Sequence, residues 1–185
     1  MNARFCGANC WGATMENERP SIRWMIRRDM PDILAIESAV FHWDAWTEED
    51  FMVCLRQRNC IGMVAEIDDR VVGYMIYELH RDWLHLVNFA VDPKLHRQRI
   101  GTAMVDRLKS KLNHHQRHTI AMVVSENNLP MHLFLRANGF TATNVLRDYY
   151  DSGVTTDGYE FRYATDTATA RTPSPRKGSL YTGGE

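Results

Sequence analysis

The stretch from Leu84 to Asn113 constrains this chain more than any other. It opens with an apolar run, Leu84-His85-Leu86-Val87-Asn88-Phe89-Ala90-Val91, within a predicted strand from Trp83 to Val91. Asp92-Pro93 ends that strand, because proline has no N–H for a ladder. A basic loop follows, Lys94-Leu95-His96-Arg97-Gln98-Arg99, and then a helix from Thr102 to Leu112 with Met104, Val105, Leu108 and Leu112 on one stripe. A helix start has unpaired N–H groups and a dipole that favours negative charge, so strand, loop and helix together make an anion site. Arg97 and Arg99 add full charges, and Gly101 lets a ligand approach the backbone. The bland alternative is a solvated basic turn. A formal net charge of -1 makes this basic loop a local feature and argues against general nucleic-acid binding.

Around this stretch the chain alternates helix and strand signals. Ser21 to Ile26 reads as a first strand. Asp29 reads as an N-cap, with Pro31 in the first turn and Ile33, Ile36, Val40 and Phe41 on one helical face. His42 to Trp46 forms a loop with two Trp, and Thr47 with Asp50 resembles a capping box for a helix reaching about Leu55. Ile61 to Ile67 and Val71 to Leu79 are predicted strands joined by a tight hairpin at Asp68-Asp69-Arg70. Thr119 to Val124 is a further strand. Asn128 caps a helix that stops at Gly139, and Phe140 to Val145 and Tyr159 to Tyr163 close the sheet. The result is an α/β chain with an antiparallel front and a parallel-capable centre.

Residues 1–20 show no period and read as a loose leader, 21–164 as one domain, and 165–185, rich in Thr, Ser, Pro and Gly, as a disordered tail. No apolar run approaches the ~20 residues a membrane span needs, and the first residues lack a signal-peptide core, so a cytoplasmic protein is expected. Cys6, Cys10, Cys54 and Cys60 read as free thiols. No second close Cys pair or His partner turns Cys6 and Cys10 into a metal site, and no metal is expected.

The Leu84–Asn113 segment resembles the acetyl-CoA site of the GNAT acetyltransferase superfamily. That family's loop carries Gln or Arg, two variable residues, Gly, one variable residue, then Gly or Ala, directly after a strand ending in a Val-x-Pro turn. Measured from Val91-Asp92-Pro93, the loop here is His96-Arg97-Gln98-Arg99-Ile100-Gly101, with His96 and Arg99 at two of the usual positions. A register shifted by two, Gln98 to Ala103, fits the pattern literally; distance from the strand favours the first. Asn128 to Gly139-Phe140 resembles the family's last core helix. Leu146-Arg147-Asp148-Tyr149-Tyr150 with Asp157-Gly158 is similar to the RimI-type N-terminal acetyltransferases and their eukaryotic relatives. The resemblance spans roughly Ile22 to Tyr163. It implies a GNAT-like mixed, partly antiparallel central sheet of about seven strands flanked by about four helices.

It also implies an acetyl-CoA-dependent N-acetyltransferase acting by direct attack on the thioester, with a protein or peptide N-terminal α-amine as acceptor. The alternatives are a small-molecule amine acceptor or a catalytically silent acetyl-CoA-binding module. The family's cofactor contacts fall here on the backbone of Phe89, Ala90 and Val91 for the pantetheine arm and thioester. Arg97, Gln98, Arg99, Ile100, Gly101 and Thr102 take the pyrophosphate, and Asn128 is either a further cofactor contact or a plain helix cap. Tyr149 and Tyr150, with Phe41, Trp43 and Trp46 on the other side, match the peptide groove; aromatic packing, or a hydrophobic plug under the sheet, is the alternative. RimI-type enzymes carry a Glu base and a Tyr acid at positions that fall on Val123 and Leu135, neither of which moves a proton. Relatives with a fourth-strand residue in that role point to His85, whose ordinary pKa of ~6.5 suits a base at neutral pH, and Glu126 is a second candidate. Plain strand alternation places His85, Val87, Phe89 and Val91 on one face and Leu84, Leu86, Asn88 and Ala90 on the other.

Overall fold

A computed structural model describes residues 19–113, 117–151 and 155–165. Cys6, Cys10, most of the expected leader and the expected tail from 166 onward lie outside the described residues. The described residues form a seven-stranded sheet of β1 (Ser21–Trp24), β2 (Cys60–Ile67), β3 (Arg70–Leu79), β4 (Trp83–Val91), β5 (Thr119–Ser125), β6 (Thr141–Asp151) and β7 (Thr155–Ala164). The order is β1-β2-β3-β4-β5-β7-β6. The β4–β5 pair is parallel and every other neighbouring pair is antiparallel. Four helices flank it: α1 (Met30–Phe41), α2 (Glu48–Leu55), α3 (Ile100–Lys109) and α4 (Leu129–Ala137). This is the mixed sheet the resemblance implies.

Local chemistry explains most boundaries. Asp68 and Asp69 both take positive φ, 50° and 58°, as a two-residue primed hairpin loop requires, and Asp tolerates that region. Thr47 and Asp50 make the reciprocal capping box that opens α2. Gly139 ends α4 with φ 80°. Asp29 does not cap α1: its carboxylate instead accepts the Ile26 N–H at 2.8 Å and pairs with Arg23, inside a 3-10 turn that precedes the helix. β1 stops at Trp24, although the Met25 N–H still reaches the Gly62 carbonyl at 3.0 Å.

Each face of the sheet buries its own core. Tyr77, Leu84, Leu86, Phe89 and Val91 pack with Ile100, Met104 and Leu108 of α3 and Leu135 of α4. Tyr74, Ile76 and Ala90 pack with Ile33 and Ile36 of α1, Trp46, and Phe51 of α2. Each large apolar side chain so buried contributes ~1.5–3 kcal/mol. Cys54 and Cys60 are buried free thiols in the second core.

The face assignment of β4 corrects simple alternation. Asn88 pairs with Ile76 and Leu86 with Tyr77, so Val87 has no residue opposite it and forms a bulge. The extra residue reverses the phase. Phe89 and Val91 join Leu84 and Leu86 on the α3 face, while His85, Val87, Asn88 and Ala90 lie toward α1 and α2.

Candidate active site

β4 and β5 are paired over Trp83, Leu84 and His85 alone, opposite Thr119, Ile120 and Ala121. Beyond that point β5 continues along β7 to Ser125 and β4 along β3 to Val91, so the two parallel strands part. Among the described residues, Leu86 to Val91 thus present a strand edge with no neighbour on the β5 side. The Asp92 N–H donates to the Val72 carbonyl at 2.9 Å, on the β3 side. Backbone alternation then aims the N–H groups of Phe89 and Val91 into the opening and that of Ala90 toward β3. Of the three predicted backbone contacts, Phe89 and Val91 offer free donors there and Ala90 does not.

The basic loop stands at the end of this opening. His96 Nε2 donates to the Val91 carbonyl at 2.9 Å, fixing the loop to the strand it leaves. Arg97 and Arg99 take left-handed backbone conformations, φ 67° and 62°, with Gln98 between them. Such alternation turns successive N–H groups into one concave nest. All three side chains are exposed. Arg99 is the N-cap of α3 and supplies no side-chain cap, and Ala103 donates to the Arg99 carbonyl at 3.0 Å. The N–H groups of Ile100, Gly101 and Thr102 therefore lie at the open helix end. Nest, helix end and two guanidinium groups fit a diphosphate. Gly101 also meets a packing demand: a Cβ there would sit 3.2 Å from the Phe134 ring and 3.4 Å from Phe89. Its bare backbone makes room for the Phe89–Phe134 stack. Asn128 accepts the Met131 N–H at 3.1 Å, which realises the helix-cap reading.

The wall across the opening comes from β6. Leu146 pairs with Gly158 and Tyr150 with Thr156, so Arg147, Asp148 and Tyr149 face the single residue Asp157. Asp157 holds this bulge: it pairs with Arg147 and accepts the Asp148 N–H at 3.0 Å, with Asp148 at φ 50°. Glu126 accepts the Asp157 N–H at 3.1 Å, which makes it a brace of the hairpin. The Tyr150 hydroxyl donates to the Val123 carbonyl at 3.1 Å, and its ring meets Tyr149 edge-on at 5.0 Å. Tyr149 packs over Gly158, where a Cβ would come within 3.0 Å of it and 2.6 Å of Val123. Burial, reinforced by the charges of Glu160 and Glu78, pushes the Tyr149 phenol up to about 12, so it stays protonated at neutral pH. Trp46 is buried in the α1–α2 core beside Phe51, and Phe41 packs partly against the same core. Trp46 is thus the plug under the sheet. The side chain of Trp43 lies outside the described residues.

Val123 and Leu135 are both buried, and neither side chain has a proton to give. The titratable groups near the opening come from elsewhere. His85, at the last β4–β5 pair, sets Nδ1 3.2 Å from Glu78 Oε2, and His80 Nε2 reaches the same oxygen at 3.1 Å. The His80 ring stacks on Trp83 at 4.2 Å. Hydrogen bonding from His85 holds the Glu78 carboxyl below the usual carboxylate range. Glu160 pairs across the strands with Val123, is fully buried, and binds Arg162. Beneath the α1–α2 segment, buried Glu37 accepts the Trp46 N–H at 2.8 Å and meets Asn88 and the Tyr74 hydroxyl. Glu37, Glu78, Asn88 and Glu160 were not picked out from sequence. For Glu37 a signal existed: it lies four residues after Ile33, on the apolar stripe itself.

The model of the acetyltransferase (GNAT) family matches residues 19–140. A ribosomal protein bS18-alanine N-acetyltransferase of Salmonella typhimurium is 26% identical over 132 residues, 71% of this chain and 86% of that protein. The crystal structure of the ribosomal-protein-S18-alanine N-acetyltransferase from Escherichia coli superposes with a TM-score of 0.70 at 21% identity, over 83% of this chain and 99% of that one. Ard1 from Thermoplasma volcanium superposes equally, at 21% identity over 80% and 98%. The parted strands, the basic nest and the family match together place this N-acetyltransferase chain in the GNAT acetyltransferase family.

Proposed function

We propose that the protein transfers acetyl from acetyl-CoA to the α-amine of a protein or peptide N-terminus. The observation that carries this reading is the β6 bulge. It brings Tyr149 and Tyr150 over Val123, beside the opening where the reacting groups meet. A bulged wall of two tyrosines offers a peptide backbone packing faces and the Tyr149 hydroxyl. The cofactor's pyrophosphate lies in the nest from Arg97 to Thr102, and Phe89 and Val91 give their N–H groups to its arm and thioester. Acetyl-CoA supplies an activated acyl group; these donors bind it and polarise its carbonyl. The sequence relatives named for alanine N-acetylation of a ribosomal protein support the acceptor class. No helix among the described residues is long and apolar enough to cross a membrane. The reading places the enzyme in the cytoplasm, where new N-termini emerge.

Incubation with acetyl-CoA and a panel of N-terminal peptides, read by mass, tests it. Addition of one acetyl group to the α-amine is expected; acetylation confined to polyamines or other small amines overturns the acceptor class. The apolar pair Val123 and Leu135 favours one second reading, a silent acetyl-CoA-binding module. Calorimetric binding of acetyl-CoA without transfer to any amine is the outcome that selects it.

A further inference from the structure

We propose that Glu78 and His85 form a carboxylate–imidazole dyad in which Glu78 fixes the tautomer of His85 and leaves Nε2 as the base that takes the proton of the incoming amine. The inference rests on the acetyl-transfer reading and gives its proton a destination that Val123 and Leu135 do not provide.

Three observations place the dyad. The first is position: His85 is the last β4 residue paired with β5, so it stands at the vertex where the strands part. Between Leu84 and Leu86, which face α3, His85 points to the α1–α2 face, opposite the cofactor-side helix. The second is bonding. Glu78 and His85 are direct cross-strand partners, and among the described residues Glu78 is the hydrogen-bond partner of His85, through Nδ1 at 3.2 Å. A charged carboxylate only accepts, so Nδ1 carries the hydrogen and Nε2 keeps its lone pair. The third is access: the His85 side chain retains 15% exposure, enough to meet water or an amine at its edge. The same logic orients the imidazole of a serine-hydrolase triad. Glu78 acts through His85 and is a positioning residue. Its second bond, to His80 stacked on Trp83, braces the carboxylate against rotation. Other charged and titratable groups on this face are Tyr149 from β6, Glu160 and Arg162 from β7, Glu37 from α1 and Tyr74 from β3.

The proton balance is closed. An α-ammonium gives one proton to Nε2 through water in the opening. The freed lone pair forms the N–C bond as the C–S bond breaks. The second proton lost by nitrogen goes with the departing sulfur to give the thiol, and Nε2 returns the first to solvent. The net reaction releases one proton and regenerates the dyad.

Two measurements test this. Long-range 1H–15N spectra of the histidines should show His85 as the Nδ1–H tautomer in the wild type and lose that signature in Glu78→Ala. Peptide kcat/KM should fall ~10–100-fold in Glu78→Gln at neutral pH and recover largely in Glu78→Asp, with the acidic limb of its pH profile moved to lower pH and acetyl-CoA affinity unchanged. A uniform loss with an unmoved limb, or an Nε2–H tautomer in the wild type, overturns the dyad. If no peptide is acetylated the acceptor reading fails, and the tautomer measurement still decides the Glu78–His85 arrangement. Thermal shift with acetyl-CoA identifies a variant that has merely unfolded, in which case Glu78→Asp carries the test.

Discussion

Arg99 holds a backbone conformation that its Cβ resists. At φ 62° it is left-handed, which costs an ordinary residue ~1–2 kcal/mol. The reward is geometric: with Arg97 also left-handed, successive N–H groups turn toward one point while both guanidinium groups stay in solvent. Glycine takes the same conformation without steric cost but gives up ~0.4–1 kcal/mol of unfolded-state entropy. Arg99→Gly is therefore expected to raise stability by ~0.5–1 kcal/mol, and Arg99→Ala, still carrying a Cβ, to leave it nearly unchanged. Urea unfolding of the two variants separates backbone from charge. Equal stability in both shows that the left-handed turn carries no strain at this position.

The β6 bulge acts as a unit, and Asp157 is its fastener. One carboxylate accepts from the Asp148 backbone and the Arg147 side chain, and the Asp157 backbone is gripped in turn by Glu126. Asp157→Ala removes both acceptors and frees Tyr149 from its seat over Gly158. The expected result is a peptide KM raised ~10-fold, a smaller change in kcat, and acetyl-CoA affinity held constant, since the nest is on another element. Asp157→Asn keeps one acceptor and should fall between. A change in acetyl-CoA affinity alone contradicts the assignment. The sequence made these elements partly legible. Apolar period together with caps and stops located the seven strands and four α-helices of the described residues, and the Arg-Asp-Tyr-Tyr and Asp-Gly segments were singled out by resemblance. It did not show that Thr141–Asp151 is one bulged strand, because a bulge is defined by the partner's register rather than by local preference. The same holds for Val87, which moved Phe89 to the other face. His85 was singled out by resemblance, at a fourth-strand position counted back from Val91 where it is the side chain able to carry a proton. Glu78 was not, because its role exists only once two strands align.

Across the molecule, the α1–α2 side is tied to the sheet by a polar knot that works against the fold as pH rises. Glu37 of α1 is 1% exposed and binds the Trp46 backbone, Asn88 of β4 and Tyr74 of β3, so one carboxyl joins four segments. Burial pushes its pKa up from 4.5 to about 7, with the Trp46 and Asn88 bonds opposing and the charges of Asp44 and Asp50 adding to the rise. The folded state therefore holds this proton more tightly than the unfolded chain. The resulting stability is complete below pH ~4.5 and is lost as pH rises through about 7. A shift of this size corresponds to ~3 kcal/mol between the two ends of that window. Glu37→Gln keeps the shape and cannot ionise. Relative to the wild type, it should gain stability progressively between pH 5 and 8, up to ~3 kcal/mol, whatever other carboxylates do to both proteins alike. Urea midpoints measured in parallel at pH 5, 6, 7 and 8 give that difference directly. A gap between the two proteins that stays constant over the range means that Glu37 is ionised throughout, held by its three donors, and that the knot strengthens the fold at every pH.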